Sequence, residues 1–321
     1  MVRMGYAWVG STYRRTGYGV RMAAADVEAS RRMFEAEWGR AGRTLLHGQS
    51  WGGNIAAKLA ELHALDDEGR ARYDGVLITN GVLTGGTRAY GFRADLRAVY
   101  QYYCRNHPLP DEPQYPVWQG LPVDATMTRE ALQRRVDDCT GLGLEPSQRS
   151  QEQAARLADI LAVTGVREPQ LLAHLAWGTF HFQDLVHRRL GGRNPFDNAE
   201  TRYRGSRDDD ALNAGVERFK ADPIALARLA YDADLSGLIV LPTLTVHAMD
   251  DPVVAASAQA AYAATVQAAG GSALLVQVQT DEADHSRLGD ATLETALRAL
   301  GAWLDEGRRP AADAMQRDCL A

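Results

Sequence analysis

Residues able to move a proton and attack a carbonyl occur in this chain in a definite order. Ser50 lies in the run Thr44-Leu45-Leu46-His47-Gly48-Gln49-Ser50-Trp51-Gly52-Gly53, where a short apolar stretch ends at Gly48 and a helix-forming segment follows over residues 55–65. Strand, sharp turn, helix is the arrangement that presents a serine hydroxyl above a sheet edge. Gly48 and Gly52 are expected there on steric grounds, because so tight a turn leaves no room for Cβ atoms. A serine hydroxyl is a weak nucleophile at neutral pH and needs a base within hydrogen-bond reach, which itself needs an orienting acid. Two later loops supply them. His247-Ala248-Met249-Asp250-Asp251-Pro252-Val253-Val254 follows one expected strand, and Asp284-His285-Ser286 follows another. In an open parallel sheet the loops at the carboxyl ends of strands converge on one crevice, so Ser50, Asp251 and His285 can meet although far apart in sequence.

The elements that must position them read as follows. Strands are expected at residues 5–11, 43–47 and 74–80, with helices at 23–38 and 54–65 and a loop at 16–19. Ala24, Val27, Met33, Phe34 and Trp38 are available for one face of the first helix. Strands alternating with helices at this spacing predict a parallel α/β sheet. From residue 81 the pattern turns helical, with expected helices at 93–104, 128–138, 150–164, 168–177, 182–190 and 211–231. The α/β pattern resumes with a strand at 238–246, a helix at 253–268, a strand at 273–278, a loop at 281–288 and a closing helix at 293–304, and the tail from 307 is expected to be loosely attached. Residues 1–80 and 237–321 therefore form the core, and 81–236 a helical insertion. Its many aromatics (Tyr100, Tyr102, Trp118, Trp177 and Phe182 among them) are expected mainly in its own core, with some free to line a pocket.

Composition removes several function classes. Of 321 residues, 45% are hydrophobic and 24% charged, an ordinary globular balance. A formal net charge of −6 offers no clustered basic surface for nucleic acid. No stretch approaches the roughly eighteen uninterrupted apolar residues of a membrane span. Cys104, Cys139 and Cys319 lack metal-ligand spacing, and no motif asks for a cofactor or metal. Cys104 and Cys139 fall in the same segment and can either bridge or remain buried thiols.

These motifs resemble the α/β-hydrolase superfamily. Gly48-Gln49-Ser50-Trp51-Gly52 matches its nucleophile elbow, residues 247–254 are similar to its acid loop (commonly His-Gly-x-x-Asp-x-x-Val), and Asp284-His285-Ser286 resembles its histidine loop. The resemblance covers residues 5–80 and 237–305. It implies an α/β-hydrolase fold, a mostly parallel sheet flanked by helices, with the insertion as a helical cap after the strand that follows the nucleophile helix. It also implies Ser50 as nucleophile, His285 as base and then acid, Asp251 as the orienting carboxylate, and the backbone N–H of Trp51 as one oxyanion donor. The expected activity is hydrolysis of a small-molecule carboxylic ester, bulky or aromatic given so large a cap. The same elbow serves peptidases, amidases and acyltransferases, and a non-catalytic relative could keep the fold.

Some assignments have rivals. Asp251 is favoured over Asp250 by its spacing from His247, which fits the superfamily loop, and Asp250 is then expected to cap the following helix. His247 and His47 read as packed histidines, and His174, His181 and His187 as solvated or internally satisfied ones. Asn80 occupies an alternative acid position of some superfamily members, but an amide cannot act as the anion. Ala248 and Asp284 stand where glycine is usual, and a carboxylate at 284 could raise the imidazole pKa. The strand at 5–11 resembles the superfamily's fourth strand, so the strands before it, and the strand that would lie between it and the elbow strand, are expected to be missing from an N-terminally incomplete sequence. In their absence the second oxyanion donor would have to come from residues 10–15, with Tyr13 a candidate. Residues 1–30 show no signal-peptide pattern, which leaves a secreted or periplasmic location open if the N-terminus is incomplete.

Overall fold

The computed structural model describes residues 1–15 and 19–319. Thr16, Gly17 and Tyr18 of the expected loop lie outside the described residues. In chain order the elements are α1 (Val20–Trp38), β1 (Leu45–Gln49), α2 (Trp51–His63), β2 (Gly75–Thr79), α3 (Gly85–Cys104), α4 (Arg129–Thr140), α5 (Gln151–Thr164), α6 (Leu171–Ala176), α7 (Asp209–Gly215), α8 (Pro223–Ala233), β3 (Thr243–Ala248), α9 (Ser257–Ala268), β4 (Leu275–Thr280), α10 (Asp290–Glu306) and α11 (Ala312–Cys319). Two compact units emerge, one of residues 1–86 with 232–321, the other of residues 87–231.

The first unit is built on a sheet in the order β1-β2-β3-β4, with every neighbouring pair parallel. Position in the sheet explains composition. The two inner strands, Gly-Val-Leu-Ile-Thr and Thr-Leu-Thr-Val-His-Ala, are buried along their whole length, as strands covered on both faces must be. β1 and β4 are the outer strands, and each has positions that are not fully buried. One face of the sheet packs Leu77, Leu244, Val246, Val276 and Val278 against Leu297, Leu300 and Trp303 of α10 and Met315 of α11. The tail is thus anchored by a helix whose Met315 enters the core, where the sequence pattern suggested loose attachment.

Residues 5–11 form no strand. A short 3₁₀ turn at Val2–Met4 is followed by irregular chain, with Trp8 71% exposed. The segment has strand-forming residues but no ladder partner among the described residues, and an extended backbone without a partner is not a strand. The strand expected from residue 238 starts only at Thr243; Leu238 and Val240 are exposed and Pro242 marks the entry. On α1, Val20, Ala23 and Ala24 are buried, whereas Met33 and Trp38 face solvent. The buried positions farther along that helix are Asp26 and Glu28, held by Arg14 and by Arg31 with the Tyr73 hydroxyl, so charge pairing replaces apolar packing there.

The second unit is helical. Ser150 caps α5 in a reciprocal capping box with Gln153, and Thr128 caps α4. The expected helix at 211–231 is two, α7 and α8, because Pro223 begins a new helix and cannot continue an old one. Residues 168–189 run as 3₁₀, α and two π-helical turns, Trp177–His181 and Asp184–Arg189. Phe182, Phe196 and Tyr90 stack in its core, with centroids 4.5 Å apart for Phe182–Phe196 and 5.7 Å for Tyr90–Phe182. Cys104 at the end of α3 and Cys139 in α4 form a disulfide with Cα atoms 5.6 Å apart. No helix among the described residues is long and apolar enough to cross a membrane.

Candidate functional site

Ser50 sits between β1 and α2 at φ 58°, ψ −126°, a conformation that a non-glycine residue holds only under constraint. Its neighbours supply that constraint. Ser50 N–H donates to the Thr79 carbonyl at 3.0 Å, and its own carbonyl accepts from Gly53 and Val82, each at 3.0 Å. The glycine requirement falls on positions 48 and 53. A Cβ on Gly48 would stand 2.1 Å from the Gly52 carbonyl oxygen, and one on Gly53 would be 2.8 Å from Gly81 Cα and from Ile78 Cγ2. Gly52, expected to be constrained, has nothing within 4 Å of a Cβ; it is the backbone of residue 52, rather than its missing side chain, that Gly48 must accommodate.

Asp251 and His285 reach this turn from the loops after β3 and β4. His285 Nε2 is 2.7 Å from Ser50 Oγ, and His285 Nδ1 is 2.8 and 3.0 Å from the two Asp251 oxygens. A carboxylate only accepts, so Nδ1 carries the proton, which leaves Nε2 to accept the Ser50 hydroxyl. Asp251 is buried, and burial alone would raise its pKa. Hydrogen bonds from His285 and from the backbone N–H groups of Val254 and Val253 outweigh that cost and hold the carboxyl below its ordinary range. It is therefore an anion opposite the imidazole.

The rival residues have other duties. Asp250 is exposed and caps no helix, since α9 starts at Ser257 with Ala256 as its N-cap; the turn at 253–254 is held by Asp251 itself. His247 is fully buried with Nε2 3.0 Å from the Val254 carbonyl, and burial depresses its pKa, so it stays neutral and donates. His47 lies on the outer strand β1, an exposed residue where a buried strand was expected, with Nε2 3.3 Å from the buried Thr79 Oγ1. Asp284 turns its carboxylate onto the N–H groups of Ser286 and Arg287. In the second unit, His187 Nε2 is 3.0 Å from the Leu121 carbonyl and His181 stacks on Trp177 with centroids 4.2 Å apart.

Trp51 is the first residue of α2, so its backbone stands at the positive end of the helix dipole. Tyr13, at φ 55°, gives its backbone N–H to Ser11 Oγ at 3.0 Å. Two residues whose part the sequence pattern did not disclose are Asn80 and Gln49. Asn80 is completely buried at φ 46°, and both side chains hydrogen-bond the His285 carbonyl. The one sequence signal was a polar residue ending each of two adjacent apolar strands.

No family model matches the chain, and no curated protein matches it. It is similar to solved structures of hydrolases and esterases, each at low identity and a TM-score below 0.5. A meta-cleavage product hydrolase from Pseudomonas fluorescens IP01 is 12% identical, with 92% of this chain and 75% of that one covered at a TM-score of 0.34. An esterase from Exiguobacterium antarcticum is 12% identical over 92% and 79% of the two chains, TM-score 0.38. Feruloyl esterase B from Aspergillus oryzae is 16% identical over 91% and 66%, TM-score 0.40. The described residues thus form a parallel α/β sheet in the order β1-β2-β3-β4, flanked by helices, with a strained serine turn between β1 and α2.

Proposed function

We propose that the protein is a serine hydrolase that cleaves a carboxylic ester through an acyl-enzyme. The observation that carries this reading is the continuous hydrogen-bonded chain from Asp251 through His285 to Ser50, with the serine on a strained turn. In this mechanism Ser50 Oγ attacks the ester carbonyl carbon while His285 Nε2 takes its proton. Asp251, anionic and buried, stabilises the imidazolium and fixes its tautomer. The tetrahedral oxyanion is assigned to the N–H of Trp51, at the N-terminus of α2. His285 then gives its proton to the departing alkoxide. Water, deprotonated by the same nitrogen, attacks the acyl-enzyme and releases the acid. An ester is assigned because the resemblance of the three loops to the superfamily carries that activity as its commonest. The helical unit is assigned, in the same reading, to selection of a bulky or aromatic acyl or alcohol group.

A fluorophosphonate probe tests this directly. Wild-type protein is expected to label at Ser50, Ser50→Ala to lose all labelling, and Asp251→Asn to label roughly 10³- to 10⁴-fold more slowly, as expected when the imidazole loses its orienting anion. Labelling that survives Ser50→Ala, or an unlabelled wild type, would overturn the proposal. Hydrolysis of nitrophenyl esters graded by acyl length then defines the substrate.

A further inference from the structure

We infer that Asn80 is a positioning residue for His285, acting through that residue's main chain; the inference rests on the reading of Ser50, His285 and Asp251 as a catalytic unit. Residues 281–289, which carry His285 between β4 and α10, contain no helix or strand, so the imidazole cannot inherit its place from a local hydrogen-bond ladder. Side chains from the sheet supply the anchorage. Asn80, directly after β2, donates Nδ2 to the carbonyls of Asp284 at 3.0 Å and His285 at 2.8 Å. Its Oδ1 accepts the N–H of Ala248, the last residue of β3, at 2.8 Å. Gln49, the last residue of β1, donates Nε2 to the same His285 carbonyl at 2.7 Å. One end of the histidine is thus tied to the carboxyl ends of β1 and β2, while its ring spans 2.7 Å to Ser50 and 2.8 Å to Asp251.

The residue type follows from these bonds. Two carbonyls require donors and one N–H requires an acceptor, which an amide provides and a carboxylate does not. The left-handed backbone at φ 46° is a region that Asn enters more readily than most residues. Without Asn80 the His285 carbonyl keeps only the Gln49 donor, and the loop gains freedom along the direction that sets both ring contacts. A displacement of about 1 Å at a reacting group costs on the order of 10²-fold in rate, so the expected loss is roughly 10- to 100-fold.

Asn198→Ala is the matched control. Asn198 is also a buried amide, donating Nδ2 to the Tyr203 hydroxyl at 3.0 Å and the Glu217 carbonyl at 2.9 Å while Oδ1 accepts the N–H of Phe219 at 2.7 Å, and none of these partners belongs to the histidine loop or the serine turn. The two readouts are the rate of fluorophosphonate labelling and the low-field proton resonance of His285 Nδ1–H. Asn80→Ala, and the isosteric Asn80→Asp in case the smaller residue does not fold, are expected to slow labelling by roughly 10- to 100-fold and to shift or broaden the resonance. Asn198→Ala is expected to lower Tm yet leave both readouts at wild-type values. Folded Asn80 variants that behave like Asn198→Ala overturn the inference. An unlabelled wild type overturns the proposed function instead, and the resonance then decides alone: unchanged in the Asn80 variants, it refutes the positioning role.

Discussion

Replacing Gly48 by alanine, with Gly52→Ala beside it, separates two glycines that look alike in the sequence. The added methyl at 48 would meet the Gly52 carbonyl oxygen at 2.1 Å, its carbon at 2.5 Å and Ala56 Cβ at 2.8 Å. The first of these is more than an ångström short of the 3.4 Å at which ordinary contact begins. Little can yield. β1 is fixed by its ladder to β2, and the next residue of α2, Gly53, is already seated against Gly81 and Ile78. The turn between them carries Ser50, whose hydroxyl is only 2.7 Å from His285 Nε2. Overpacking of this kind costs about 1–3 kcal/mol, a fall in Tm of several degrees for a unit of this size. With Ser50 as the proposed nucleophile, an ångström of displacement there costs about 10²-fold in rate. Gly52→Ala meets nothing within 4 Å and should gain about 0.4–1 kcal/mol from a less flexible unfolded chain, with labelling changed only a few-fold. Fluorophosphonate labelling and thermal melts of both variants measure the contrast. Wild-type labelling by Gly48→Ala, or equal damage from the two substitutions, would refute the steric reasoning.

Two further outcomes concern the helical unit. Reducing the Cys104–Cys139 bridge frees a loop closed across 35 positions, which is worth about 4 kcal/mol by chain entropy; denaturant melts with and without reductant should differ accordingly, and Cys104→Ser with Cys139→Ser should melt like the reduced form. His107 is fully buried, with Nε2 donating to Thr179 Oγ1 at 2.8 Å; burial first, and then the nearby Arg97 and Arg135, hold its pKa far below the ordinary 6.5. Because the folded pKa is lowered, the unfolded chain binds the extra proton, and stability is complete above pH 6.5 and declines below it by about 1.4 kcal/mol per pH unit. Urea melts at pH 7.5 and 5.5 should show that decline shrink by about 1.4 kcal/mol in His107→Gln, and an unchanged pH dependence would exclude His107 as its source.

What could be read from the chain without coordinates divides along the range of the interactions involved. The serine turn, the parallel strands around residues 74–80 and 238–246 and the approach of three distant side chains follow from local patterns plus one rule of sheet topology, so the grouping of Ser50, Asp251 and His285 was legible. Residues 5–11 were not, because strand-forming composition says nothing about whether a neighbour exists to bond with. The same gap explains Gly52. A turn that excludes Cβ atoms is predictable, but which glycine faces the crowding depends on how α2 leaves the turn.

The amides at strand ends show why positioning is harder to read than chemistry. A base, an acid and a nucleophile betray themselves by type, since few residues can do their work. Asn80 and Gln49 are of types common on any surface, and their acceptors lie 205 and 236 positions away in sequence. Only the fold makes them neighbours of His285. Yet a polar side chain at the end of a strand buried on both faces has few acceptable fates: it must find partners at the sheet's edge or pay several kcal/mol for desolvation. In a parallel sheet that edge is where the functional loops converge. A buried amide closing an apolar strand therefore signals a loop in need of holding, and in this chain the loop held is the one that carries the imidazole.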